Sequence, residues 1–391
     1  GLVAAEREGD AVAAAHHELL LRQHDRGEHA SFLRGVGRVV LDSDPSGAVV
    51  VAHRWRTHRR QLVLEEVGSL GTTPIDVELP VGSYVLELRG EDGAIRYPIV
   101  IGRDETWDAT RPAASSPSPV RLPCGVGPGE CYVPAGFTWV GHDALAAEPV
   151  PSRRVWIEDF VIQTFPVTCG QYLVFLDDLA SRGDEARAWR HAPSVSRAAT
   201  ATSSPAVARE EDRFVMLPDD HGAPIDLECP IASIDWHAAV AYAEWLSARE
   251  GRRWRLPSEL EWEKAARGVD RRPFPWGSQP EPTWACILGQ RASARRRVPV
   301  DSYPIDTSPY GARGMAGNVR DWCIEVWKAD GPRLCDGVAQ VDAAREDDPS
   351  PRAIRGGAWT SVVAFARCAG RFAAKPDEHF AVVGLRLVRE P

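Results

Sequence analysis

The spacing of apolar residues changes twice along the chain, and this change constrains the fold more than any other feature of the sequence. Up to about residue 23 the alanines and leucines recur with a helical period, and between Gly35 and Arg103 apolar and polar residues alternate. Beyond Cys131 short strand patterns are mixed with two clear helices. We therefore predict a helical start, a small antiparallel β unit and a larger α+β unit.

The composition is that of a soluble protein with more than one domain. A chain of 391 residues is too long for one ordinary core, and its 44% apolar and 26% charged residues are usual values. The formal charge of -9, without a long Lys/Arg run, argues against nucleic acid as a partner. No stretch reaches the roughly 20 apolar residues of a membrane span, and the start lacks the order of a signal peptide. We expect a cytoplasmic protein without membrane contact.

The composition also predicts the domain boundaries. Residues 1–30 are expected to form a linker helix that begins within its own pattern, so we expect a fragment of a longer protein. Residues 35–103 form the β unit, and residues 104–123, rich in Pro, Ser and Ala, are expected to be a linker. Residues 124–391 form the larger domain, with a partly mobile surface insertion near 181–212.

Neither the histidines nor the cysteines show the spacing of a metal site. The histidines of the first segment give no i, i+4 pair with a carboxylate on the same face, and the eight cysteines contain no C-x-x-C pair. Buried, reduced thiols are the expected state. Cys323 and Cys335 are the candidates for a disulfide, because a turn-rich segment separates them.

Capping residues mark both clear helices of the larger unit. Asp235 is placed to cap one helix, which Gly251 ends. Ser258 and Glu261 form an S-x-x-E capping box at the start of the other, and Gly268 ends it.

The β unit contains the segments "DPSGAVVVA", "LGTTPIDVELPVGSYVLELR" and "YPIVI". These segments resemble the PEGA family of small β-sandwich modules. Members of that family are non-catalytic spacers in surface-layer proteins and bacterial Ser/Thr kinases. The resemblance therefore implies a spacer without chemistry of its own.

The larger unit contains, in this order, "VPAGFTWVG", "DFVIQTFPVTCGQYLVFL", "PIASIDWHAAVAYAEWLS", "WRLPSELEWEKAARG", "PFPWG", "GMAGNVRDW" and "RGGAW…RCAGRF…VGLRLV". Together these segments are similar to the sulfatase-modifying factor (formylglycine-generating enzyme) family. The resemblance implies an α+β, C-type-lectin-like formylglycine-generating-enzyme fold. That fold is shared with iron-dependent sulfoxide synthases and with variable proteins of diversity-generating retroelements. The predicted architecture adds an N-terminal helix and a small all-β PEGA sandwich.

The order of helix, PEGA module and this domain also resembles the C-terminal half of certain bacterial Ser/Thr kinases. The chain contains neither a Gly-rich nucleotide loop nor an H-R-D segment. The resemblance therefore implies a bacterial signalling protein in which a kinase domain precedes this fragment.

The copper ligands of the family's oxidases have no counterpart here. The resemblance places the first ligand, a cysteine, two residues after the Trp of R-G-G-x-W, which is Ser361 in this chain. The second belongs to a longer loop, whereas only "TSVVAFA" separates Trp359 from Arg367 here. Cys368 lies in an element that is structural in the family, and one thiol cannot supply the two thiolates that Cu(I) favours. The iron-binding H-x-x-x-H-x-E helix of the sulfoxide synthases is also missing.

Calcium is the remaining metal that the family implies, because its members hold this ion through oxygen ligands. At one site the matching positions are Gly314, the carbonyls of Gly317 and Val319, and Asp321; the glycine has no side chain to offer. Cys286 stands where the other site would need Asn. No cofactor is expected, except that Asp321 stays open as either a weak calcium ligand or a turn-capping carboxylate.

These observations favour a non-catalytic binding or regulatory module, a pseudoenzyme whose ligand is a protein or a small molecule. By the resemblance to C-type lectins, its binding face comprises Thr360, Ser361, Phe365, Phe372, Glu378, His379 and Phe380. One alternative is a metal-dependent oxidoreductase with rearranged ligands, in which His237, His379 and Cys368 converge. Another is a regulatory substrate that a protease or kinase modifies in the insertion or the linker.

Overall fold

The computed structural model describes residues 1–8, 10–141, 143–197, 202–219, 222–289 and 296–391. Its helices are α1 (Leu2–Glu8), α2 (Ala11–His24), α3 (Ala30–Arg34), α4 (Cys169–Ser181), α5 (Glu185–Arg190), α6 (Trp236–Glu250) and α7 (Glu259–Arg267). Short 3-10 helices occur at Pro282–Trp284 and Val363–Ala366.

The strands fall into two groups along the chain. The first group comprises β1 (Val36–Leu41), β2 (Ser43–Asp44), β3 (Val49–His58), β4 (Gln61–Thr72), β5 (Ile75–Pro80), β6 (Gly82–Gly90), β7 (Gly93–Ile101), β8 (Thr106–Trp107) and β9 (Val120–Arg121). The second group begins with β10 (Glu130–Val133), β11 (Gly136–Val140), β12 (Arg153–Ile157), β13 (Phe160–Gln163), β14 (Ser194–Arg197), β15 (Thr202–Pro205), β16 (Val207–Glu210) and β17 (Arg213–Met216). It ends with β18 (Trp254–Arg255), β19 (Arg320–Val326), β20 (Leu334–Cys335), β21 (Val338–Ala339), β22 (Arg352–Arg355), β23 (Arg371–Ala374), β24 (Val383–Gly384) and β25 (Val388–Arg389).

The chain starts with two helices rather than one. Asp10 caps α2, where its carboxylate accepts from the N–H groups of Val12 and Ala13. The buried guanidinium of Arg103, just after β7, binds the carboxylates of Glu6 in α1 and Glu18 in α2. This charged contact holds the helices against the β unit.

The β unit consists of two main sheets, ordered β5-β1-β8 and β4-β3-β6-β7, with apolar side chains between them. The alternation in the sequence predicts most of these strands, although β4 carries too many exposed positions to be recognised. The range 104–123, expected as a linker, contributes two strands: β8 pairs with β1, and β9 pairs with β2. The assignment of this unit to the PEGA family stays a prediction.

The larger unit is built from three four-stranded sheets and the helices α4, α6 and α7. The sheets are ordered β10-β13-β25-β18, β11-β12-β21-β20 and β23-β22-β19-β24. Helices α4 and α6 pack into one apolar cluster with Trp322 and Leu385, whereas α7 packs into a second cluster with Phe160 and Met315. The strands that carry the candidate site, β19, β22 and β24, are neighbours in one sheet.

The cap predictions for α6 and α7 are confirmed. The Asp235 carboxylate accepts from the N–H of Ala238 at 2.7 Å, and Gly251 adopts a left-handed conformation at the other end. Ser258 and Glu261 exchange both bonds of the capping box. Helix α4 begins with the same device, in which Thr168 pairs with a glutamine. The sequence analysis overlooked this T-x-x-Q signal.

Other segments differ in how much of them the structure describes. Within the expected insertion at 181–212, helix α5 and the strands β14, β15 and β16 are described, and Ala188 and Val207 are buried in the core. Residues 198–201 lie outside the described residues. Cys323 is buried, Cys335 is exposed, and both are free thiols. No helix among the described residues is long and apolar enough to cross a membrane.

The two units pack against each other through polar and apolar contacts. Ser83 donates to the Asp270 carboxylate at 2.7 Å, and the Arg272 guanidinium lies over the Trp55 ring at 4.4 Å. Tyr132 and Val161 of the larger unit belong to the apolar cluster of the β unit. The units therefore share part of one core.

Candidate functional site

The predicted binding face lies at the start of β19, where two loops meet. The N–H of Arg320, the first residue of β19, donates to the carbonyl of Val382 at 2.8 Å. The N–H of Trp359 donates to the carbonyl of Asn318, two residues before β19, at 3.0 Å. The segments at 359–361 and 380–382 therefore both contact the region around Arg320.

The two glycines of "RGGAW" allow the first of these segments to approach the core. A Cβ atom on Gly357 would lie 2.0 Å from the carbonyl oxygen of Ala316, a distance no side chain can tolerate. Gly356 has a φ of +91°, which favours glycine. The backbone between β22 and Trp359 therefore follows a course that residues with a side chain at these two positions would not allow.

Arg320 is the central charged group of this face. Its guanidinium donates from Nη2 to Ser361 Oγ at 3.1 Å and from Nε to the Gly356 carbonyl at 3.2 Å. It lies over the Phe372 ring, with 3.9 Å between Cζ and the ring centroid. Burial lowers the pKa of Arg320 to about 10, so the side chain is still a cation at neutral pH. Within the described part of the chain, no carboxylate forms an ion pair with it.

Ser361 is buried beneath this face and serves as an acceptor. Its Oγ accepts from the N–H of Ala358 at 3.0 Å as well as from Arg320. Its carbonyl accepts from the N–H of Leu288 at 2.7 Å. The hydroxyl that stands at the position of the family's first copper ligand is therefore fixed by a cation and a backbone donor.

Large apolar side chains lie in the two loops that contact Arg320, and the Phe372 ring stacks on its guanidinium. The rings of Phe365 and Phe372 meet edge to face, with 6.0 Å between their centroids. Three large apolar side chains of the two loops are exposed: Val362 at 46%, Phe365 at 43% and Phe380 at 38%. The indole of Trp359 donates to the carbonyl of Ala381 at 3.4 Å and links the loops. The face thus combines one cation with an apolar rim.

The remaining predicted residues lie in the same two loops. Thr360 is exposed, and His379 is half-buried. The Glu378 carboxylate accepts from the N–H of Lys375 at 2.8 Å and so closes its own turn. The Phe380 carbonyl accepts from the N–H of Ser233 at 3.0 Å. Arg320 contacts Ser361 and Phe372, and Phe365 joins them through the Phe372 ring, whereas the other side chains lie beside these contacts. The binding role of all of them stays a prediction.

Asp321 faces the protein interior. Its Oδ2 accepts from the indole of Trp262 at 2.9 Å and from the Arg386 guanidinium at 3.3 Å, and its Oδ1 has no hydrogen-bond partner among the described residues. Burial raises the pKa of this carboxyl despite the neighbouring arginine. A calcium ion needs six or more oxygen ligands, and here it would share one carboxylate with a guanidinium. Calcium binding by Asp321, with the carbonyls of Gly317 and Val319, therefore stays a prediction.

The "RCAGRF" element is structural. Arg371 pairs with Glu259 of α7 at 2.6 Å, and all of these atoms are buried. Arg355 of β22 donates to Glu263 at 2.7 Å and to the carbonyl of Cys368 at 2.9 Å. Burial raises the pKa of the Cys368 thiol well above its usual range, so it is protonated at neutral pH. Through Arg355 and Arg371, β22 and β23 are bound to α7, and Cys368 supplies no thiolate.

Arg320 is the residue of this face that the sequence analysis missed. Its neighbours in the sequence, "GNVRDW", give no sign of this role, because its contacts are with residues far along the chain.

Comparison with known proteins supports the family resemblance. A family model described as the sulfatase-modifying factor enzyme 1-like domain matches residues 117–391. The hercynine oxygenase of Mycolicibacterium smegmatis is 30% identical over 326 residues, which cover 76% of this chain and 72% of that protein. The formylglycine-generating enzyme of Thermomonospora curvata is 28% identical, over 70% of this chain and 97% of that protein.

Two further similarities concern the chain's context and fold. The serine/threonine-protein kinase pkn1 of Chlamydia pneumoniae is 27% identical over 62% of this chain, but the match covers only 35% of the kinase. The structure of PvdO from Pseudomonas aeruginosa superposes with a TM-score of 0.50 and 24% identity, over 71% of this chain and 100% of PvdO. The predicted α+β fold of the formylglycine-generating-enzyme type is thereby confirmed.

Proposed function

We propose that this chain, which belongs to the sulfatase-modifying factor enzyme 1-like domain family, is a non-catalytic binding module. Its binding surface is the face around Arg320, formed by the loops at 359–365 and 378–382. The relatives that this chain resembles are named as a hercynine oxygenase, a formylglycine-generating enzyme and a serine/threonine-protein kinase. Membership alone therefore leaves both a catalytic and a non-catalytic role open.

One observation carries the non-catalytic proposal: a guanidinium donates to the side chain that stands in place of the copper-binding thiolate. Ser361 Oγ is a hard, neutral oxygen, and Arg320 places a positive charge 3.1 Å from it. Cu(I) favours soft sulfur ligands, and a cation at this distance opposes a second cation. The residues present at this position therefore do not fit a copper ion.

The geometry offers little support for an oxidoreductase with rearranged ligands. That alternative needs His237, His379 and Cys368 to converge on one metal ion. Across the ranges that the structure describes, no group of three or more His, Cys, Asp or Glu side chains is arranged to hold a metal. The Cys368 thiol is also buried and has a raised pKa.

We further propose that the module belongs to a bacterial signalling protein and works in the cytoplasm. The similarity to the C-terminal part of a serine/threonine kinase supports an association with a kinase domain. The β unit, which packs against the family domain, is suited to act as a spacer between them. The net charge of -9 supports a partner other than nucleic acid.

The test is a titration of the reduced chain with Cu(I) in competition with a chelator, combined with oxygen consumption in the presence of a cysteine-containing peptide. The proposal predicts no stoichiometric copper binding and no peptide-dependent oxygen uptake. The formylglycine-generating enzyme of Thermomonospora curvata is the positive control for the assay. One tightly bound copper per chain, with turnover of the peptide, would overturn the proposal.

A further inference from the structure

We propose that the face around Arg320 binds an anionic group, a carboxylate or a phosphate, that is attached to an apolar body. Arg320 is the anchoring residue for the anion, and the aromatic rim receives the apolar part. This inference rests on the proposed binding function and names the chemical class of its ligand.

The first argument is the missing counter-ion. Most buried arginines of the larger unit are paired with carboxylates: Arg267, Arg272, Arg355, Arg371, Arg386 and Arg389. Arg352 has no such pair, but three backbone carbonyls accept from its guanidinium. The guanidinium of Arg320 donates to two neutral acceptors, the Gly356 carbonyl and Ser361 Oγ. Its partial burial without a nearby acid disfavours the charged form. A ligand anion would supply the missing partner.

The second argument is the accessibility of the guanidinium. The described contacts use its Nε and Nη2 atoms. Nη1 forms no hydrogen bond within the described residues and is not among their buried polar atoms that lack a partner, and the side chain as a whole is only half-buried. Stacking on Phe372 fixes the plane of the guanidinium, which reduces the entropy lost when an anion binds. The donor is therefore both open and oriented.

The third argument is the character of the rim. Val362, Phe365 and Phe380 are large apolar residues, each more than one third exposed, and they lie in the two loops that contact Arg320. An inorganic anion would use none of this surface. A ligand with an apolar body would bury it and would also exclude water from the charged contact, which strengthens that contact.

The test uses three probes of similar shape in isothermal titration calorimetry on the full chain: 3-phenylpropionate, 2-phenylethyl phosphate and 3-phenylpropionamide. We expect at least one of the two anions to bind about tenfold or more tightly than the neutral amide, because a charge-assisted hydrogen bond replaces a neutral one. Tighter binding of the carboxylate or of the phosphate then tells which anion the site suits. Equal binding of all three probes, or no binding of any, overturns the inference.

Two variants tie the effect to the proposed residue. Arg320→Gln should abolish the preference for anions, whereas Arg320→Lys should retain part of it because the charge remains but the planar fork is lost. Arg333→Gln, at an exposed arginine outside this face, is the matched control and should bind like the parent chain. Anion binding that is unchanged in Arg320→Gln would overturn the inference. Thermal unfolding of each variant verifies that it is folded.

A third variant separates this inference from the proposed function. Phe365→Ala should weaken all three probes, because it removes apolar surface rather than charge. Val341→Ala, with a similar exposure of 44%, is its control. If the amide binds as well as the anions and Phe365→Ala weakens both, the binding face stands and the anion inference fails. Copper binding with turnover of the peptide would refute the proposed non-catalytic function, whatever the three probes show.

Discussion

The buried carboxyl of Glu325 should make the stability of the larger unit fall as the pH rises. Glu325 lies in β19 with only 4% of its surface exposed, next to the carboxylates of Glu259 and Glu261. Burial, with a contribution from these acids, raises its pKa from 4.5 to about 8. Between these two values the folded chain binds more protons at this site than the unfolded chain. Stability therefore decreases with pH across this window.

The size of the effect follows from the same shift. The difference in pKa corresponds to at most about 5 kcal/mol in the free energy of unfolding. This shift already includes the bond from the N–H of Glu259 to Glu325 Oε2 at 2.8 Å, which favours the anion; we expect about 2–4 kcal/mol because the surroundings of the buried charge can relax and admit water. Glu325→Gln keeps an acceptor for this bond but cannot ionise, and it should remove this part of the pH dependence.

Urea unfolding, followed by circular dichroism from pH 5 to pH 8.5, measures the effect. The parent chain should lose more stability over this range than Glu325→Gln, so that the variant becomes the more stable protein at the upper end. Glu346→Gln, at an exposed glutamate, controls for the change of formal charge and should follow the parent curve. Parallel curves for the parent chain and Glu325→Gln would refute the reasoning.

Three further substitutions test other parts of the structure. Gly357→Ala forces a Cβ atom against the carbonyl of Ala316 and should cost about 2–3 kcal/mol, seen as a lower thermal midpoint; an unchanged midpoint would contradict the close approach. Ser258→Ala removes a helix cap and should cost about 1 kcal/mol in urea unfolding, and a neutral result would mean that the cap contributes nothing. Arg103→Met should release the first two helices and speed their cleavage by a protease, with the β unit left intact; an unchanged cleavage rate would show that other contacts hold them.

The parts of the fold that depend on neighbouring residues could be predicted from the sequence. Asp235 and Ser258 cap their helices through bonds to residues three positions away, so the pattern alone reveals them. The alternation of apolar residues in the β unit is local in the same sense. Thr168 shows that even a local signal can be missed when it stands inside a longer apolar segment.

The parts that depend on distant residues could not be predicted in this way. The range 104–123 has the composition of a free linker, yet β8 and β9 form because β1 and β2 offer them unpaired edges. The role of Arg320 depends on Ser361 and Phe372, which follow it by more than 40 residues in the sequence. Composition near Arg320 carries no information about either contact. Ser361 was recognised by its position in a motif, and its cationic partner was not.

The shared core of the two units has a consequence for anyone who wishes to move this domain into another protein. Tyr132 and Val161 are buried by side chains that come from the β unit. A shortened chain that begins at residue 117, where the family match starts, would present these side chains to water and invite aggregation. The family domain of this protein should therefore not be transferred alone, and any chimera should include the β unit as well.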